Sequence, residues 1–135
     1  MIQNLDTNTP LEDMRKTLFR DGVFKIENYL KGSELTGLYD EVYNKCQHEA
    51  GDYEFGRNYR GEDLSTYPED SEISKTYNKK WMKDLHGLYT GSPDRYGINV
   101  FATHDYKFDG KLARNGWLHF DRLWRLKFFI YLTDI

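Results

Sequence analysis

The spacing of apolar residues changes period once along this chain, and that change limits the folds open to it. In three stretches before residue 90 the apolar side chains recur at the three- and four-residue steps of a helix. Beyond Gly91-Ser92-Pro93-Asp94, which reads as a turn, they alternate singly, as in half-buried strands. Helices first and closely spaced strands after is the order of an α+β chain with an antiparallel, barrel-like or jelly-roll core.

Within the first part, Thr9-Pro10-Leu11-Glu12 reads as a helix start. Thr9 caps, Pro10 suits the first turn and Glu12 completes a capping box. Leu11, Met14, Leu18 and Phe19 fall on one face, and Gly22 ends the helix in a left-handed conformation. The lead from Met1 to Asn8 is expected to be flexible, and Val23-Phe24-Lys25-Ile26 to be a short strand. Ser33 is a candidate N-cap for a second helix with the stripe Leu35, Leu38, Tyr39, Val42, Tyr43 and Cys46, stopped by Gly51. Residues 52–70 show no period and read as a long surface loop. Its Tyr53, Phe55, Arg57, Tyr59 and Arg60 are substrate contacts or simply solvated loop residues. Ile73, Tyr77, Trp81, Leu85 and Leu88 then step along a single third helix over 71–88.

In the second part, Ile98, Val100 and Ala102 alternate within a strand expected over 96–106. Asp109-Gly110 and Asn115-Gly116 are turn signals, and 117–121 is strand-like. Leu126, Phe128, Ile130 and Leu132 occupy one face of a last strand, with Lys127, Phe129, Tyr131 and Thr133 on the other.

Composition excludes some functions. Hydrophobic residues make up 39% and aromatics 16%, enough to pack a core. The net charge is −3, and no basic stripe offers a nucleic acid an electrostatic footprint. The single cysteine, Cys46, lies in an apolar helical stripe and reads as a buried structural thiol. The apolar run near 126–132 is interrupted by Lys127 and far too short to span a bilayer, and the polar N-terminus carries no visible signal peptide. No membrane partner is expected. The expected setting is reducing and cytoplasmic.

One pair of residues carries chemistry. In a strand, side chains two positions apart share a face, so His119 and Asp121 would project into one cavity. An imidazole and a carboxylate so placed supply two members of the two-histidine, one-carboxylate facial set that holds non-haem Fe(II) and leaves positions for oxygen and a chelating cosubstrate. The plain alternative is a hydrogen-bonded His–Asp pair. None of the other three histidines, His48, His86 and His104, has an acid two residues on.

Gly116-Trp117-Leu118-His119-Phe120-Asp121, a short spacer, then Leu126-Lys127-Phe128-Phe129-Ile130-Tyr131-Leu132-Thr133-Asp134-Ile135, resembles the phytanoyl-CoA dioxygenase family. There an H-x-D strand is followed by a strand of the type LKxxIYLTD. The stretch Phe19 to Leu30, followed by a helix opening at Ser33, resembles the family's N-terminal segment. The resemblance implies N-terminal helices (1–90) followed by the first antiparallel strands (91–135) of an incomplete double-stranded β-helix, or jelly roll. It implies Fe(II) on His119 and Asp121, 2-oxoglutarate as cosubstrate, and hydroxylation of a small organic substrate by molecular oxygen. Tyr131 would line the 2-oxoglutarate pocket, or be an ordinary strand aromatic. Lys127 would face an anionic group, or be a solvated lysine.

The family pattern also requires a later histidine and an arginine that grips 2-oxoglutarate. None of the fourteen positions after Asp121 is a histidine, and Arg122 and Arg125 lie too close to the first ligands. Complete barrel domains run roughly 200–250 residues. The expectation is therefore a single, C-terminally truncated domain over 1–135, holding two ligands and inactive by itself. His104 is the other possible third ligand, but family order places that histidine after H-x-D. Two alternatives follow. One is a non-catalytic jelly-roll-like module that binds a ligand or partner chain. The other is a half-barrel completed by another subunit.

Overall fold

In the computed structural model, which describes residues 1–48, 53–54, 57–97, 100–105 and 125–133, helix α1 spans Leu11–Asp21. It starts one residue later than a Thr9 cap would require. Pro10 occupies the cap position without a side-chain bond, and the Thr9 hydroxyl instead accepts from the Asp6 amide at 3.2 Å. Glu12 pairs with Arg15 at 2.5 Å rather than reaching back to a cap. Gly22 closes the helix at φ 77°, its amide donating to the Leu18 carbonyl at 2.9 Å, as the sequence predicts.

The lead expected to be flexible is partly ordered. Strand β1 (Gln3–Asn4) pairs in parallel with β2 (Phe24–Lys25), α1 being the crossover between them. The Leu5 amide extends the ladder to the Lys25 carbonyl at 2.9 Å.

Helix α2 (Gly32–His48) begins at Gly32, so Ser33 lies inside it instead of capping it. Leu38 and Cys46 are buried on its inner face, whereas Tyr39 and Tyr43 are exposed and stack at 6.0 Å. The stop expected at Gly51 lies outside the described residues.

The third predicted helix is two helices. Helix α3 (Glu72–Tyr77) ends at Asn78, and α4 (Lys80–Thr90) starts after Lys79, whose backbone is extended. The Asn78 amide donates to the Ser74 carbonyl at 2.9 Å, and its side chain donates to the Ser74 hydroxyl at 2.9 Å. The break redirects one apolar stripe into two cores. Ile73 packs with Leu30, Leu38, Leu64, Tyr67 and Val100, while Leu85 packs with Met14 and Leu18 between α4 and α1.

Residues 52–70 are not simply a loop. Strands β3 (Tyr53–Glu54) and β4 (Arg57–Glu62) pair antiparallel, and β4 pairs antiparallel with β5 (Val100–Asp105) along its whole length. The polar run Arg57-Asn58-Tyr59-Arg60-Gly61-Glu62 carries no alternation, so its pairing depends on a partner some forty residues away.

The jelly roll is overturned. Among the described residues the chain is mostly helical, with four α-helices, the two-residue parallel pair and the small sheet β3-β4-β5. The segment 125–133 is extended but joins neither sheet. Alternation requires only that one side of an extended segment be buried; it does not require a ladder. Here Leu126 and Phe128 pack on the α1–α4 core, and Ile130 and Leu132 on the core around Leu38 and Ile73. Helix-borne aromatic side chains supply the apolar surface that a second sheet was expected to supply. The strand and turns expected over 109–121 lie outside the described residues.

Candidate functional site

His119 and Asp121 lie in the stretch 106–124, outside the described residues. What is described is the chain on either side. Before them, β5 buries Val100 and Ala102 against the body. After them, residues 125–133 alternate inward and outward, as the sequence predicts. Lys127 and Tyr131 share the outward face with Phe129, and the Phe129 and Tyr131 rings stack at 6.5 Å. Tyr131 is 66% exposed, and neither residue lines the two clefts described below. His104 sits on β5 opposite Asn58.

The inward face of this segment meets an aromatic seam. Phe128 lies edge-on to Trp81 at 5.9 Å and tilted against Tyr96 at 6.2 Å. Trp81 is in turn edge-on to Tyr29 at 5.8 Å, and Tyr96 to His86 at 5.5 Å. These centroid separations and tilts suit the ring quadrupoles. The seam is polar as well. The Tyr96 hydroxyl donates to the Tyr77 carbonyl and lies 3.8 Å from the Met82 sulfur. The Tyr77 hydroxyl donates to the Phe128 carbonyl at 3.4 Å, tying the extended segment to α3.

Burial controls the protonation of this group. It pushes the Tyr77 phenol up to about 12, with a smaller contribution from the nearby Tyr29. Burial also raises Tyr96, aided by Tyr77 and Tyr29, and lowers the His86 imidazole. All are therefore neutral near pH 7. They can donate or accept hydrogen bonds but do not form a charged acid–base pair.

Beside the seam is an open cleft of about 640 Å³. Leu64, Tyr67, Pro93 and Tyr96 give it an apolar side; Asp63, Glu69, Lys83 and Asp84 give it a charged one. Its floor is already engaged in structural bonds. Asp63 accepts from the Ser65 amide at 2.9 Å and from the Ser65 hydroxyl at 2.6 Å, and these bonds hold its carboxyl below the usual range. Asp84 pairs with Lys80 at 2.5 Å, and the Lys45 ammonium lies 4.9 Å from the centre of the Tyr67 ring. A smaller cleft of about 320 Å³ lies between α2 and α3, with Glu34, Glu72, Lys75 and Lys79 around it.

Sequence reasoning missed the seam. Its signal was present in Met82, Leu85, His86 and Tyr89, which follow helical spacing and put a histidine on an apolar face. Among the described residues no three His, Cys, Asp or Glu side chains are grouped to hold a metal ion. No described helix is long and apolar enough to cross a membrane. No protein-family model, curated protein or solved structure matches the chain.

Proposed function

We propose that this chain contributes the first two iron ligands, His119 and Asp121, of a non-haem Fe(II), 2-oxoglutarate-dependent dioxygenase that hydroxylates a small organic substrate. One observation carries the reading: the order Gly116-Trp117-Leu118-His119-Phe120-Asp121, a four-residue spacer, then Leu126-Lys127-Phe128-Phe129-Ile130-Tyr131-Leu132-Thr133-Asp134, with its resemblance to phytanoyl-CoA dioxygenases. Anchoring of the second block adds support. Phe128 and Ile130, in the block that carries the resemblance, pack their inward faces on the two cores.

The donor types fit the metal. A neutral imidazole and a carboxylate are ligands that Fe(II) accepts. Bound iron with 2-oxoglutarate would supply the oxygen activation needed to attack an unactivated C–H bond. The chain's own residues have narrower tasks. His119 must be neutral to offer its lone pair. Lys127 and Tyr131, on the outward face of the anchored segment, are the groups proposed to meet the cosubstrate. A third ligand has to come from elsewhere, since no histidine follows Asp121 in this sequence. The reading also carries a reducing, cytoplasmic setting, supported by a single cysteine buried in α2.

Calorimetric titration of the 135-residue chain with Fe(II) under anaerobic conditions tests the proposal. Weak binding that disappears in both His119→Ala and Asp121→Ala is expected, with no succinate released from 2-oxoglutarate. His104→Ala should bind as the parent does. Binding that survives both ligand substitutions would remove the basis for the iron reading and leave a non-catalytic binding module in its place.

A further inference from the structure

His86 is 8% exposed on α4, and its Nδ1 has no hydrogen-bond partner among the described residues. Its ring meets Tyr96 edge-on at 5.5 Å. Tyr96 ends the short 3-10 turn Pro93–Arg95, and its hydroxyl reaches back to the Tyr77 carbonyl. That turn packs closely on α4: a Cβ added at Gly87 would lie 3.1 Å from the Pro93 side chain. The histidine therefore sits where α4, the turn and the end of α3 meet.

We propose that His86 is an acid-sensitive latch, holding the Pro93–Tyr96 turn against α4 while its imidazole is neutral and releasing it when the ring takes up a proton. A second proton would place a full charge on a buried ring whose Nδ1 has no partner among the described residues to share it. On α4, Lys83 and Tyr89 lie one turn to either side. The turn itself carries Asp94 and Arg95, both exposed, and the neutral Tyr96. From α3 the nearest contribution to the seam is the neutral Tyr77. On α1, Arg15 is paired with Glu12 and Arg20 with Asp21. Among the described residues His86 makes no ion pair, so solvent is where a protonated ring is best stabilised.

The direction of the effect follows from linkage. Burial lowers this imidazole in the closed form, whereas the opened form titrates near the ordinary value of about 6.5. The opened form thus binds more protons as pH falls below that value, and closure weakens progressively until the closed form also titrates. The consequence is local. The turn leads through Gly97, whose carbonyl receives the Leu64 amide at 2.8 Å, into β5.

Amide hydrogen exchange of the full chain tests the latch, read at Arg95 and Tyr96, whose amides donate to the Ser92 and Pro93 carbonyls. After correction for intrinsic rates, protection should fall by up to about fivefold between roughly pH 6.5 and pH 5.5. The Gly22 amide on α1 serves as the internal reference. His86→Gln and His86→Phe should abolish the dependence on pH. The same fall in both variants would overturn the proposal. Should neither variant fold, NMR titration of the His86 ring in the parent protein decides: a midpoint below the ordinary imidazole value supports the latch, and one at or above it overturns it.

Discussion

The carboxylate of Glu41, midway along α2, accepts the backbone amide of Ile73 at 2.9 Å and so caps the start of α3 from 32 residues away. Helix α3 is only six residues long, too short to be stable alone. Its N-terminus is held from two sides, by Glu41 and by the Ser71 hydroxyl, which accepts from the Ser74 amide at 3.1 Å. The two bonds set Ile73 into the core beside Leu38.

Glu41→Ala should therefore lower stability by about 1–2 kcal/mol, measured by urea unfolding, because a partly buried amide loses a charged acceptor. Glu41→Gln, which keeps an acceptor oxygen, should recover more than half of that loss. Equal losses in the two variants would show that the acceptor does not matter.

Gly97 ties the chain between the 3-10 turn and β5 to Leu64. Its φ is 75°, and an added Cβ would lie 2.9 Å from the Leu64 Cβ. Both the left-handed backbone and the contact oppose any side chain. Gly97→Ala should cost about 1–3 kcal/mol in thermal or urea unfolding. A neutral result would mean that the 64–97 contact yields without cost.

Stability should fall in alkali before free tyrosine has fully titrated. Tyr77 ionises near 12 in the folded chain, against about 10 unfolded, so the unfolded chain releases its proton first as pH rises. Tyr96 acts in the same direction. The contribution is complete below about pH 10 and declines above it. Tyr77→Phe should reduce the slope of unfolding free energy against pH between roughly 10 and 12. An unchanged slope would place the titrating groups elsewhere.

Leu85 and Met14 are fully buried between α4 and α1. Leu85→Ala should destabilise by about 2–5 kcal/mol, the cost of lost transfer energy plus an incompletely collapsed cavity. Leu88→Ala, on the exposed side of the same helix, should change stability by less than about 0.5 kcal/mol. Comparable losses at the two positions would contradict the assignment of faces.

Local chemistry made several elements legible. The four-residue steps from Ile73 to Leu85 marked helix, Gly22 marked its predecessor's end, and the alternation from Leu126 to Leu132 correctly separated inward from outward side chains. The same signals were silent about partners. Nothing in Arg57–Glu62 points to β5, because a polar strand is selected by the edge it meets and not by its own pattern. Nothing local splits the stripe at Asn78, because the split becomes favourable only when two cores lie on different sides of it.

The candidate site divides in the same way. The H-x-D pair and the block behind it are properties of the chain as written, available without coordinates. The seam of Tyr29, Tyr77, Trp81, Tyr96 and Phe128 joins residues up to about a hundred positions apart, and only folding could assemble it. Period and turn residues act over a few bonds, so the sequence by itself determined that the first two helices and the alternating last segment exist, where Gly22 stops the first of them, and which side of Leu126–Leu132 is apolar. Which surface each apolar side covers depends on competition among distant partners for the same buried area. Tertiary structure alone decided that Leu126–Leu132 would lie on helices and not in a barrel wall.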